Sequence, residues 1–117
     1  MPPLESSRFS HLSAARQALV RLYQSTNYGY IEDLTVRDRE PVLTSPGPVV
    51  LVDLKLDSDE RSPGELAPAD FVLCTELVRL MSLLDRIQNG KISKIEVRAG
   101  IARRILFDPR LTEAGID

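Results

Sequence analysis

Few side chains in this sequence are of the types that enzymes use for nucleophilic or acid–base chemistry. The chain has one histidine, His11, and one cysteine, Cys74. Cys74 lies in a predicted helix among Phe71, Val78 and Met81, and a cysteine in apolar surroundings is normally inert packing. His11 is expected to be solvated near the start of the first helix. No second histidine is present to activate Cys74, so the sequence does not predict a cysteine nucleophile.

Carboxylates occur in three arrangements that could support acid–base chemistry or metal binding. Glu32 and Asp33 are neighbours on a predicted strand, so they point to opposite faces and make a poor acid–base pair. Glu32 and Asp53 approach each other only if their two strands are neighbours. The acidic segment 57–67 lacks the spacing of a calcium-binding loop and is expected to be a solvated linker. Phosphate-binding and nucleophile-elbow motifs are also absent from the sequence. We therefore predict a non-catalytic protein with no metal and no cofactor.

Basic side chains are concentrated in the predicted C-terminal hairpin. The candidate partner-binding residues are Arg37, Lys94, Arg98, Arg103 and Arg104. Arg103 and Arg104 are neighbours on a strand and face opposite sides, so they cannot both join one flat patch. The hairpin has a single aromatic residue, Phe107, whereas single-strand binders stack bases on several aromatics. Three interpretations stay open: nucleic-acid binding, a charge-guarded sheet edge, or contact with an acidic loop of another chain.

A nine-residue pattern occurs twice and supplies the framework for these residues. Residues 29–37 and 90–98 both read Gly-x-Ile-x-x-aliphatic-x-Val-Arg, and each follows a helical segment that contains Leu-Val-Arg-Leu. The pattern suggests a helix–hairpin unit that is repeated with pseudo-twofold symmetry, and a chance match is the alternative. In each copy the isoleucine lies three residues before the next apolar position. Either a β-bulge or packing at the helix-to-strand corner accounts for that offset, and we favour the corner.

The first half of the chain predicts one helix and three strands. Ser10 or Ser13 can cap a helix that runs to about Thr26, because apolar residues recur there at steps of three and four. Residues 41–44 predict a short strand that either lies at a sheet edge or begins at the proline, since Pro41 cannot donate a hydrogen bond. Residues 49–56 alternate most clearly. Their even-numbered apolar side chains are expected to face the core and their odd-numbered side chains to face water.

The second helix is predicted from Pro68 to about Asn89 and is more apolar than the first. One stripe at near-heptad spacing consists of Leu73, Leu77, Leu80, Leu84 and Ile87. A helix that is apolar over more than half its circumference must be covered on more than one side. We expect this stripe to form a homodimer interface with the same helix of a second subunit. The alternative is that the first helix covers it.

These elements predict one α+β domain over residues 1–117. About five strands form an antiparallel sheet with two helices on one face, in the order α-β-β-β-α-β-β. Residues 1–9 and 110–117 are expected to be loose. The net charge of −2 argues against a whole-domain nucleic-acid binder. The single cysteine suits a reducing compartment, and the sequence shows neither a signal peptide nor an apolar run of membrane-spanning length, so we expect a cytoplasmic protein.

The order of elements resembles that of the secretion-chaperone fold. Members of that fold are small, acidic, cytoplasmic dimers, and the resemblance implies a dimer that presents its sheet and helices to an extended protein segment. No motif carries the resemblance beyond size and element order. We therefore predict a small protein-interaction module that forms a homodimer. A nucleic-acid-binding accessory protein and a chaperone-like binder of extended segments are the alternatives.

Overall fold

The computed structural model describes residues 8–44, 47–57 and 70–111. Its helices are α1 (Ala14–Thr26) and α2 (Thr75–Ile87). Its strands are β1 (Gly29–Arg37), β2 (Glu40–Val42), β3 (Val49–Val52), β4 (Gly90–Arg98) and β5 (Ile101–Leu106). Single turns of 3-10 helix lie at Phe9–His11 and Pro109–Leu111. The predicted α+β class and element order are confirmed.

All five strands belong to one antiparallel sheet with β1 and β4 at its centre. The order along the sheet is β2-β1-β4-β5. Strand β3 pairs with the first part of β1, where Gly29 faces Val52, and β2 pairs with the last part, where Arg37 faces Glu40. Strands β2 and β3 therefore share one edge of the sheet, and β5 forms the other.

The core lies between the two helices and one face of this sheet. The strands contribute Ile31, Leu34, Val36, Ile92, Ile95 and Val97, each of which is almost completely buried. The helices contribute Leu19, Val20, Tyr23, Leu77, Leu80, Met81, Leu84 and Ile87. The same three positions of β1 and β4 are buried, namely the third, sixth and eighth residues of each strand. Burial of these positions explains why the nine-residue pattern keeps its aliphatic residues.

The isoleucine offset does not arise at a helix-to-strand corner, so the favoured interpretation was wrong. Ile31 pairs with Ile95 and Leu34 pairs with Ile92, so all four lie within the regular ladder. The pairing is interrupted at Asp33, which has a φ of 58°. A left-handed residue within a strand shifts the side-chain alternation by one, as a β-bulge does. Ile31 and Leu34 can therefore face the same core.

Both halves of the chain share their backbone geometry at a spacing of 61 residues. The bounds of α1 and α2, and of β1 and β4, differ by that number. Asn27 and Gln88 end the two helices with φ values of 65° and 62°. Their amides donate to the carbonyls of Tyr23 and Leu84 respectively. The two Leu-Val-Arg-Leu segments do not follow this spacing. They begin at Leu19 and Leu77, whereas the structure matches Leu19 with Leu80.

Two features determine where the helices start: a side-chain cap on α1, and a backbone hydrogen bond between the segments that precede α1 and α2. Ser13 caps α1 as predicted, since its side chain accepts a hydrogen bond from the amide of Arg16. Helix α2 begins at Thr75 and not at Pro68, which lies outside the described residues. The residues just before α2 are extended, and the amide of Phe9 donates to the carbonyl of Phe71 across 2.9 Å. Phe9 is buried, so this end of the predicted loose arm belongs to the core.

Candidate interaction surface

Strand β3 is the most exposed apolar part of the described chain. All four of its side chains are 39–63% exposed, although every one is valine or leucine. Leu54 and Leu56 follow at 58% and 92%. The prediction that the even-numbered residues of this segment face the core is wrong, and the strand ends at Val52. These side chains stay exposed because β3 lies at the edge of the sheet. It pairs only with β1, and α1 and α2 do not cover it.

The backbone of β3 offers hydrogen-bonding groups to its outer side. The amide of Asp53 donates to the carbonyl of Tyr28 across 2.8 Å, so odd-numbered residues direct their amides and carbonyls toward β1. In an antiparallel strand these groups alternate in direction. The groups of Val50 and Val52 therefore point away from the sheet. No described strand pairs with this outer edge.

Gly29 allows β3 to lie this close to β1. A Cβ atom at residue 29 would collide with the carbonyl of Leu51 and crowd the side chain of Thr26. Glycine is the residue that permits such a close approach of two backbones. The glycine that opens the first nine-residue pattern lies just after the end of α1. Its lack of a side chain also lets the exposed strand pair with β1.

The other sheet edges carry features that discourage pairing with a foreign strand. Strand β2 has three residues, and one of them is Pro41. Strand β5 carries the adjacent cations Arg103 and Arg104, and its register with β4 shifts between Glu96 and Val97. Short length, proline, charge and bulges all protect sheet edges from association. Of these features, β3 has only its short length.

The predicted basic residues do not form one cluster. Strands β1 and β4 are antiparallel, so Arg37 and Arg98 lie at opposite ends of the sheet, about 30 Å apart at the usual rise per residue. Arg103 points to the helix side, where it binds Glu76 across 2.8 Å. Arg104 lies opposite Glu96 on the other face of the sheet. The prediction that Arg103 and Arg104 face opposite sides is confirmed.

Carboxylates of the same chain neutralise several of these cations. Lys94 lies 3.8 Å from Glu32, and its ammonium group is 4.5 Å from the centre of the Tyr30 ring. Arg98 binds Glu96 across 3.2 Å. On the open face of the sheet, acidic and basic side chains therefore lie side by side around the Tyr30 ring. Such a surface lacks the concentrated positive charge that holds a phosphate backbone.

The helical stripe predicted as a dimer interface lies in the core instead. Leu73, Leu77, Leu80, Leu84 and Ile87 are at most 6% exposed. They pack with the isoleucines of the sheet in one hydrophobic cluster. A second copy cannot contact this stripe unless α2 leaves its own sheet. Any interface between copies must therefore use another surface.

The candidate catalytic side chains are spread over the structure. His11 is exposed and borders a shallow depression of about 360 Å³. In that depression Arg16 binds Asp85 across 2.6 Å, and the hydroxyl of Ser13 donates to Glu40 across 2.5 Å. These polar groups bind one another and do not converge on an open point.

Cys74 is half-buried at the N-cap of α2, where its side chain forms no capping hydrogen bond. Glu32 and Asp53 do not face each other, because Glu32 pairs with Val49 and Asp53 follows the end of β3. Most of the acidic segment 57–67 lies outside the described residues. Within the described ranges, no group of three or more histidine, cysteine, aspartate and glutamate side chains is placed to hold a metal ion.

A second depression, of about 230 Å³, lies between α2 and β5. Leu80, Leu83, Ala102 and Ile105 form its apolar floor. Glu76, Arg79 and Arg103 form its rim. A hydrogen bond from its own backbone amide, together with the Arg103 charge, lowers the pKa of Glu76. The carboxylate therefore stays ionised and keeps its ion pair with Arg103 at neutral pH.

Comparison of the chain with protein-family models, with curated proteins and with solved structures finds no match. Neither α1 nor α2 has the length and apolar character needed to cross a membrane. Sequence reasoning identified the alternating segment 49–56 but missed it as a surface. The signal that could have revealed it is the run Val-Val-Leu-Val, in which both faces of the strand are apolar.

Proposed function

We propose that this protein is a non-catalytic protein-interaction module, and that it binds an extended segment of protein chain along the outer edge of β3. The observation that carries the proposal is the exposure of all four apolar side chains of β3 beside an edge of outward-pointing backbone groups. In strand addition, backbone hydrogen bonds supply affinity and alternate side chains supply specificity. A single cysteine and a module of this size suit the cytoplasmic setting expected above.

Contrast with the other edges supports this location. Proline shields β2, and arginines shield β5. An exposed apolar edge that lacks proline, charge and bulges is an aggregation hazard in a protein that has no partner for it, even when the strand is short. An edge strand whose side chains are all apolar is therefore expected to be occupied in the functional state. The basic residues make a weaker case for nucleic acid, because Lys94, Arg98 and Arg103 already lie against carboxylates.

The test is proline substitution at a position that faces outward. Val52→Pro removes an amide that β1 does not use, so the fold is expected to persist with an unchanged melting temperature. Peptides selected from a random-sequence display library on the wild-type protein should be apolar at alternate positions. They should bind the Val52→Pro variant at least about tenfold more weakly, as the loss of an edge hydrogen bond and its neighbours implies.

Leu106→Thr provides the matched control, because Leu106 is an exposed apolar residue on the opposite edge. Peptide binding to this variant should equal that of the wild type. Selection that yields no binding peptide, or peptides that bind Val52→Pro and wild type equally, would contradict the proposed function.

A further inference from the structure

We infer that the outer edge of β3 pairs with β3 of a second copy of this chain, antiparallel and with Leu54 facing Leu54 of the partner. The inference rests on the proposed function and names the occupant of that edge. The pairing would join two five-stranded sheets into one continuous sheet. Its twofold axis would pass through the Leu54 pair, which is the symmetry of an isologous interface.

The first argument is the length of the alternating segment. The sequence of residues 49–56 alternates as a strand, yet the chain pairs with β1 only as far as Asp53 and turns at residues 56–57. Apolar side chains continue at Leu54 and Leu56, both exposed. A strand pattern that outlasts its partner within the chain fits a partner that comes from outside it. A second copy would extend the turn at residues 56–57 and supply the pairing for residues 53–56.

The second argument is the direction of the backbone groups. Asp53 bonds to β1, so the amide and carbonyl of Val52 point outward, and an extended strand in the dimer would direct those of Leu54 and Leu56 the same way. In the inferred register Leu54 faces Leu54 of the second copy, and Val52 faces its Leu56. All of these are outward-directed positions, so each facing pair can exchange two hydrogen bonds. No backbone group needed by β1 is taken.

The third argument is charge complementarity between the two copies. With the axis at Leu54, Asp53 faces Lys55 of the second copy, and Lys55 faces its Asp53. Opposite charges on facing residues stabilise an antiparallel pair. An axis at Val52 would instead place Asp53 against Leu51 and Lys55 against Val49. An axis at Leu56 would place Lys55 against Asp57, but it would also place Asp53 against the like charge of Asp59.

The side chains also suit this register on both faces. Val50 and Val52 point to the side of the sheet that holds the helices, because they face Ile31 and Gly29 of β1. In an extended strand Leu54 and Leu56 would follow them to the same side. Their pairing across the axis would cover an apolar stripe that the single chain leaves exposed. The two charges lie on the opposite face, where the open sheet already carries Glu32 and Lys94.

A charge exchange tests the register directly. With Asp53→Lys alone, a lysine at residue 53 faces Lys55 of the second copy on both sides of the axis. With Lys55→Asp alone, two aspartates face each other at the same places. Each single variant should dimerise about tenfold more weakly than the wild type in sedimentation equilibrium at low salt. The double variant should regain the wild-type affinity. An equal mixture of the two single variants should form a heterodimer for the same reason.

A disulfide scan provides a second, independent measurement. In a Cys74→Ser background, which gives α2 the same cap residue that Ser13 gives α1, Leu54→Cys should cross-link under mild oxidation. Facing residues in a hydrogen-bonded antiparallel pair have Cα atoms about 5.5 Å apart, within disulfide reach. Val52→Cys and Leu56→Cys should each cross-link poorly alone. Their mixture should cross-link readily.

The outcomes separate this inference from the proposed function. A wild-type protein that is monomeric at all concentrations overturns the inference, whereas the function still stands if selected peptides distinguish wild type from Val52→Pro. A dimer that tolerates Asp53→Lys and Val52→Pro has its interface elsewhere and also overturns the inference. Cross-linking of Leu56→Cys in preference to Leu54→Cys overturns the register. Restoration by the double charge exchange supports it.

Discussion

The backbone amide of Arg39 donates a hydrogen bond to the carbonyl of Gln88 across 2.8 Å. This bond ties the turn of the first hairpin to the end of α2. The same contact occurs in the other half, where the amide of Gly100 donates to the carbonyl of Asn27 across 2.9 Å. Each hairpin turn is thus held by the helix of the opposite half. The two halves cannot separate without losing both bonds.

Arg39→Gly is expected to stabilise the protein by about 1 kcal/mol, because a side chain in the left-handed conformation is strained. Arg39 has a φ of 68°, and its counterpart Gly100 has a φ of 77°. The carbonyl of residue 39 can still accept the hydrogen bond from Arg16. The measurement is the urea midpoint of unfolding.

Gly100→Ala is the reverse substitution at the matching position of the other half. A Cβ atom there would lie 3.4 Å from its nearest atom, an ordinary contact distance, so only the left-handed backbone conformation disfavours alanine. That variant should lose stability. A loss of stability in Arg39→Gly would contradict the explanation by backbone strain.

Tyr23→Phe is expected to leave the fold intact and to raise the free energy of unfolding by about 1 kcal/mol. The Tyr23 side chain is completely buried, and its hydroxyl has no hydrogen-bond partner among the described residues. Burial raises the pKa of this phenol, so it stays neutral. The matching position of α2 holds Leu84, which is also completely buried, so the other half of the fold has an apolar residue at this position.

Chemical denaturation of Tyr23→Phe should be compared with that of Tyr30→Phe. The Tyr30 ring is only partly buried and lies on the open face of the sheet near Lys94. Its hydroxyl is not part of the core, so this control should change stability little. Destabilisation by Tyr23→Phe would mean that the hydroxyl has a partner.

Asp70→Asn is expected to lower the melting temperature at pH 7 and to have a smaller effect in acid. Hydrogen bonds from the Arg8 side chain and from the amide of Ser10 lower the pKa of Asp70. A carboxyl with a lowered folded-state pKa stabilises the fold above its unfolded pKa of about 4, and this stabilisation is lost as the pH falls through the folded-state value. The difference between wild type and variant should therefore be full above about pH 5 and shrink below pH 4.

Thermal unfolding across this pH range is the measurement, with Asp33→Asn as the control. Asp33 is exposed, and asparagine tolerates its left-handed conformation. The control should follow the wild type at each pH. A constant difference between wild type and Asp70→Asn at every pH would exclude the ion pair as the cause.

Gly29→Ala is expected to detach β3 while the rest of the sheet stays paired. The added methyl group would collide with the carbonyl of Leu51, which belongs to β3. Hydrogen exchange should then show faster exchange at the amides of Leu51 and Asp53, with little change in β4 and β5. Ser93→Ala, at an exposed position of β4, is the control. Unaltered protection of β3 in Gly29→Ala would show that the close approach is not needed.

Local patterns were sufficient to predict the elements and their order. Apolar residues at steps of three and four identified α1, and Ser13 marked its start because a serine side chain caps free amides. Turn residues and short spacing predicted both hairpins. These features depend on residues close together in the chain, so no knowledge of the fold was needed. The start of α2 was missed because the extended segment before it is held by Arg8 and Phe9, more than 60 residues away in sequence.

The surface depended on the tertiary structure. The sequence by itself determined that Leu77 and Leu84 must be covered and that residues 49–56 have an apolar face. It did not determine what covers them, because periodicity reports the character of a face and not its neighbour. In the folded chain the apolar stripe of α2 packs against the sheet of the same chain. Strand β3 lies at the sheet edge, where neither helix covers it. Antiparallel pairing likewise sent Arg37 and Arg98 to opposite ends, since strand direction is set by contacts distant in the chain.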